Sequence, residues 1–302
     1  MKKSLTIFIA ILIALYAFLS LLDTKSDYVI EQRLWRVDKK LTEVAKDTNV
    51  VPDQTYHDLV FQYQKIIDRF PNSRLTARAR MSLAHVYFIK KDYPKTREKL
   101  TEVILDHSAD KELCARAIFM TGKVFEIEGD WPHALEAYKR IMAEYPFTSV
   151  GYSAPLYIAT YYENKNIPRQ TDQALDEAVL HYKRISMEHP NSLIEFNALR
   201  LLATTYFKQK EWSKGMATLE KVLLEYPDRQ YLTIQRAGLI VKTINTVSLT
   251  QLQDYNIPIQ IYERFIAQNT SHPLNSVLTE MIKGIKKLQE KNIRLQRPEE
   301  PG

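Results

Sequence analysis

A short phrase returns along the chain: FPNS at 70–73, YPFTS at 145–149, HPNS at 189–192 and YPD at 226–228. Each copy ends a helical pattern with a proline and opens the next with a hydroxyl or carboxylate able to cap it. Punctuation of this kind at a near-constant interval predicts a stack of helix pairs, each leaning on its neighbour, in place of one central core. Such stacks present extended binding surfaces.

Composition agrees with helices. The 302 residues are 45% hydrophobic, enough for a substantial core, and glycine is scarce (7) while tyrosine is abundant (18). That balance suits helices packed through aromatic side chains and disfavours turn-rich β folds. The net charge of +6 includes Lys2 and Lys3, so the remainder carries only a mild excess and no dense basic patch for nucleic acid. The single cysteine, Cys114, rules out an intrachain disulfide framework and any multi-cysteine zinc or iron–sulfur site.

Residues 4–22, SLTIFIAILIALYAFLSLL, are uncharged and apolar. A helix needs about 20 such residues to cross a hydrocarbon layer of about 30 Å. A cleaved secretory signal is the alternative, but no small-x-small site stands immediately before Asp23, and no cysteine is available there for lipid attachment. With Lys2 and Lys3 ahead of the run, residues 1–3 are expected in the cytoplasm and residues 4–22 as a transmembrane signal anchor. The rest is then exported, periplasmic or extracellular, on a single-pass protein of the inner (cytoplasmic) membrane.

Residues 23–52 read as a helical spacer with Ile30, Leu34, Trp35, Val37, Leu41 and Val44 at helical spacing. From 53 to 273 helical patterns of roughly 12–16 residues follow one another without strand-like alternation. Segment 117–146 has Ile118, Gly122 and Phe125 in its first helix, Gly129 to Trp131 at the turn, and Ala134, Tyr138 and Pro146 in and after its second. Other copies carry Ala84, Tyr87, Thr96 and Leu100; Ala159, Tyr162, Ala178, Tyr182 and Pro190; and Ala203, Tyr206, Gly215, Leu219 and Pro227. Insertions interrupt the pattern near 166–172 and 249–258.

This arrangement resembles the tetratricopeptide repeat (TPR) family. Its long PNS-type turns are similar to those of exported bacterial members such as the outer-membrane assembly lipoprotein and the Tol-Pal-associated coordinator. The resemblance implies an all-α, right-handed α-solenoid of TPR-like hairpins over 53–273, following an N-terminal transmembrane helix. Residues 274–302 are expected as a capping helix and a disordered tail, with Val277, Met281, Ile285 and Leu288 on one side of the helix. Lys283, Lys287, Lys291 and Arg294 form a basic stripe that could meet anionic lipid or simply face solvent.

No phosphate-cradling glycine loop, GxSxG or HExxH occurs, so no enzyme, cofactor or metal site is expected. His181 and His189 lie eight apart without a carboxylate pair at metal spacing. Cys114, near a helix start, reads as a small buried side chain in preference to an activated thiol. Function is therefore expected in binding.

In the family the first helices line a concave face, which here implies Arg78, His85, Phe88, Arg116, Phe119, Lys123, Arg200, Phe207 and Lys208 as partner-binding residues. Arginines beside phenylalanines suit an acidic or C-terminal peptide, and a solvated helix face is the alternative. The family's Lys and Asn clamp for chaperone tails is not reproduced. The implied function is a membrane-anchored exported scaffold that binds protein or peptide partners, alone or as a complex subunit, in envelope biogenesis or complex assembly. A regulatory subunit of a cell-envelope enzyme and a peptidoglycan- or glycan-binding module are the alternatives.

Overall fold

The computed structural model describes residues 27–47, 52–71, 73–228 and 230–296. These form thirteen α-helices and one π-helical turn, with no strand among the described residues. In chain order they are α1 (Asp27–Lys46), α2 (Asp53–Arg69), α3 (Arg74–Ile89), α4 (Tyr93–Asp106), α5 (Lys111–Glu128), α6 (Trp131–Glu144), α7 (Ser149–Asn164), α8 (Pro168–Glu188), α9 (Leu193–Lys208), α10 (Trp212–Glu225), α11 (Ile234–Thr246), α12 (Asn256–Gln268) and α13 (Asn275–Gln296). No described helix is long and apolar enough to cross a membrane. The apolar run 4–22 and the tail 297–302 lie outside the described residues.

Two compact units divide between Gly151 and Tyr152. The first holds the hairpins α1–α2, α3–α4 and α5–α6; the second holds most of α7, then α8, α9–α10, α11–α12 and α13. One position organises the second helix of each hairpin. Eight residues ahead of the closing turn stand Tyr63, Leu100, Tyr138, Tyr182, Leu219 and Tyr262, all buried. A buried phenol left without a partner costs about 1–3 kcal/mol, and each tyrosine finds one on its hairpin's first helix. Tyr63 donates to Asp38 Oδ1 at 2.7 Å, Tyr138 to Glu126 Oε2 at 3.0 Å, Tyr182 to the Tyr152 carbonyl at 2.7 Å and Tyr262 to Asn245 Oδ1 at 2.7 Å.

By that measure α1 is a first helix, and the array begins before Asp53. Ile30, Leu34, Val37, Leu41 and Val44 are buried in one cluster with Tyr56, Leu59 and Tyr63 of α2 and Ala79 and Leu83 of α3. Trp35, which the sequence pattern places with them, is 60% exposed. One residue turns a helix by about 100°, and the Leu34 stripe already fills the face toward α2.

Small residues sit where helices touch. A Cβ on Gly122 would lie 2.6 Å from the Tyr138 ring, so a side chain there would push the two helices of the hairpin apart. Four of the turns inside hairpins share a left-handed residue directly before the helix cap: Lys91, Gly129, Asn166 and Lys210. Only Gly129 adopts that backbone without steric cost.

Both insertions are partly helical. Residues 166–172 lengthen α8 to 21 residues, against 14 for α4, α6 and α10. Residues near 249 continue α11 as a π-helical turn, Val247–Gln251. Ser73 and Ser192 cap α3 and α9 by accepting from Leu75 N at 3.2 Å and Glu195 N at 3.1 Å. At the second copy the capping hydroxyl is Thr148, which accepts from Gly151 N at 3.1 Å, and Ser149 is already helical. On α13 the buried stripe is Leu278, Ile282 and Ile285, while Val277 and Leu288 are exposed.

Candidate partner-binding faces

In the first unit the first helices are α1, α3 and α5. Asp38 of α1 joins three helices: besides Tyr63 of α2 it accepts from Arg78 Nη2 at 2.5 Å and from Ser82 Oγ at 3.1 Å, both on α3. Arg78, expected to face a ligand, is thereby tied to the array. Farther along α3, His85 and Phe88 are half-buried with their rings 6.1 Å apart, and Phe88 meets Tyr93 at 6.3 Å. Burial lowers the His85 pKa and keeps the ring neutral.

The α5 residues are engaged in the same way. Arg116 Nε lies 3.3 Å from Glu112 Oε1, and that carboxylate also accepts the Ser149 backbone N–H at 2.9 Å. Lys123 donates to Glu126 at 3.0 Å, the same carboxylate that receives the Tyr138 hydroxyl. Phe119 packs on the Tyr138 ring at 5.3 Å. The basic groups of this face are real, but each is matched to a carboxylate of the array.

The second unit differs. Lys208 of α9 pairs with Glu163 of α7 at 2.6 Å. Phe207 is half-buried, stacked on Trp212 at 6.2 Å, with its ring filling the space that a side chain at Gly215 would need. Arg200 has no carboxylate partner among the described residues. Its guanidinium lies 5.8 Å from the centre of the Phe196 ring and 3.5 Å from Asn197 Oδ1. Arg236 of α11 lies 5.6 Å from the same ring and donates to the Tyr231 carbonyl at 3.0 Å. Burial first, and the charge of Arg236 second, lower the Arg200 pKa, though a guanidinium remains charged in water's pH range.

Two half-buried guanidiniums around one buried ring, with no counter-charge, form a place where an anion would be stabilised. Arg236 escaped the sequence pattern because the repeat signature fades in α11, where neither the small residue nor the closing proline is kept in register. Asp38 escaped it for a related reason: α1 read as a spacer. In each case the signal lay in spacing to the buried tyrosine of the following helix.

Other candidates resolve as packing. Cys114 is buried, donates to the His107 carbonyl at 3.3 Å, and has its thiol pKa raised by that burial. Among the described residues no three His, Cys, Asp or Glu side chains converge as metal ligands. An apolar groove of about 410 Å³ opens beside Leu232, Ile234, Pro273 and Val277, with Ile234 85% exposed.

Residues 197–229 match the tetratricopeptide repeat family. No curated protein matches the chain. Among solved structures, BtubC (BKLC) from P. vanneervenii is 12% identical over 90% of this chain and 95% of that one, with a TM-score of 0.35. The TPR2AB domain of yeast Sti1 in complex with pHSP90 is 12% identical over 83% and 98%, with a TM-score of 0.31. The C-terminal part of a TPR repeat-containing protein from Cytophaga hutchinsonii is 14% identical over 86% and 99%, with a TM-score of 0.34. Scores of this size bear on no partner. The matched repeat, α9 with α10, is one of a run of like helical hairpins, so the chain is an all-α helical-repeat protein that contains a TPR-type repeat.

Proposed function

We propose that the protein is a tethered, exported scaffold that captures an acidic or carboxyl-terminal peptide segment on the first-helix face of its second unit. Arg200 and Arg236 hold the carboxylate, and Asn197 and the rings around Phe196 fix its approach. The observation that carries this reading is the pair of half-buried guanidiniums left without a carboxylate, while Arg78, Arg116, Lys123 and Lys208 all have one. Residues 4–22 supply the tether, which confines the array beside the bilayer and raises the effective concentration of partners there. Envelope biogenesis or complex assembly is the setting that the resemblance to exported members suggests.

Crosslinking in intact cells followed by mass spectrometry tests the face. Arg200→Gln with Arg236→Gln should lose the neighbours that the wild type captures, whereas Arg116→Glu with Lys123→Glu, which disturbs internally paired groups, should retain most of them. An unchanged set of neighbours with the folded Arg200/Arg236 variant removes the proposal. A reporter active only outside the cytoplasm, fused after Gly302, should be active; an inactive fusion reverses the topology.

A further inference from the structure

The first hairpin carries groups that neither its core nor the peptide face uses. Trp35 on α1 is 60% exposed and Phe61 on α2 is 65% exposed. Each is attended by a lysine, Lys39 at 5.7 Å and Lys65 at 5.9 Å from the ring centres. Along the edge where α1 meets α2 runs a groove of about 320 Å³ lined by Arg33, Arg36, Gln62, Lys65 and Arg69. Among the described residues none of these four cations is paired with a carboxylate. The hairpin's own acids are turned elsewhere: Asp38 to Arg78, Asp58 to Lys40 and Asp68 to Gln64. Glu31, beside Trp35, and Glu43 are exposed exceptions.

We propose that this edge of the first hairpin docks on an anionic lipid bilayer. Guanidinium forks and ammonium groups match the phosphates of lipid headgroups, and exposed aromatic rings are favoured at the depth where headgroups give way to acyl chains. An unpaired basic groove on a hairpin that also exposes two such rings offers both kinds of contact. The charge match is to a surface that carries many phosphates. The chain supports the placement: Leu22 ends the apolar run and α1 begins at Asp27. Five residue steps reach at most about 18 Å. This last point rests on the tether of the proposed function; the groove and the rings do not. The basic stripe of α13, the sequence's candidate for lipid contact, fits less well, because its Lys283 pairs with Glu280 at 2.8 Å and the helix has no aromatic residue.

The test uses the full-length chain mixed with vesicles of phosphatidylcholine alone or with a third phosphatidylglycerol, each containing brominated acyl chains that quench tryptophan. Wild-type emission should be quenched more in the phosphatidylglycerol vesicles. That excess should be lost in Trp35→Phe, in Arg36→Glu/Lys65→Glu/Arg69→Glu, and in high salt; the substituted positions are exposed, so the core is untouched. Equal quenching in the two vesicle types, or an excess that survives in Trp35→Phe, overturns the proposal. Failure of the tether is read separately: a chain that does not sediment with phosphatidylcholine vesicles lacks a membrane anchor, yet its retention by phosphatidylglycerol vesicles through Trp35 still upholds the docking edge.

Discussion

The first-helix faces of the two units are built from similar residues and arrive at opposite electrostatic ends. In the first unit Asp38, Glu112 and Glu126 each take both a basic side chain of the face and a further donor from the scaffold, Tyr63, the Ser149 backbone or Tyr138. Those carboxylates serve the fold, and the cations beside them are satisfied. In the second unit Glu163 takes Lys208, but Arg200 and Arg236 both lie beside the Phe196 ring and neither is paired with a carboxylate among the described residues. A basic residue on a first helix is therefore a binding candidate only after its internal partners are known. An arrangement that costs stability without serving the core is the better marker of function.

The comparison assumes that the units share one packing design, and the largest expected effects test that assumption. Tyr138→Ala in the first unit and Tyr182→Ala in the second should each destabilise by about 3–5 kcal/mol in denaturant titrations. Tyr162→Ala should cost clearly less, because Tyr162 is only half-buried. If either buried tyrosine proves cheap to remove, the equivalence of the hairpins fails.

The electrostatic contrast is tested next. Asp38→Ala strands the Tyr63 hydroxyl and should cost about 1–3 kcal/mol. Arg200→Gln, which relieves a like-charge contact, should leave stability unchanged or raise it. A comparable loss from both would show that Arg200 is as structural as Asp38. Gly122→Ala should destabilise by about 1–3 kcal/mol, since the added methyl must displace the Tyr138 ring.

A pH measurement sharpens the picture of the second unit. Burial, with Arg184 adding to it and Glu188 opposing, lowers the His181 pKa from 6.5 to about 4, and its Nε2 has no hydrogen-bond partner among the described residues. The folded state thus favours the neutral ring. Its contribution is fully present above pH 6.5 and is lost as pH falls toward 4. The wild-type unfolding midpoint should drop more steeply across that window than that of His181→Leu. The smallest effect is expected at the hairpin turns: Lys210→Gly relaxes a left-handed residue and should stabilise by up to about 1 kcal/mol, read as a small rise in Tm.

Much of this was legible in the residues themselves. The prolines, the capping serines and the tyrosine or leucine eight positions ahead of each closing turn are local signals, so they report helix ends and helix pairing directly. The pattern decays toward the ends: α1 keeps an apolar stripe but lacks the small-then-aromatic signature, so it read as a spacer. Trp35 was misplaced because apolar character does not say which side of a narrow stripe a residue falls on. The sequence by itself determined an all-α array of helix hairpins. Only the tertiary structure decided which of its cations are free, because Asp38 meets Arg78, Glu163 meets Lys208 and Arg236 nears Arg200 across chain separations of 40, 45 and 36 residues, distances that no local pattern encodes.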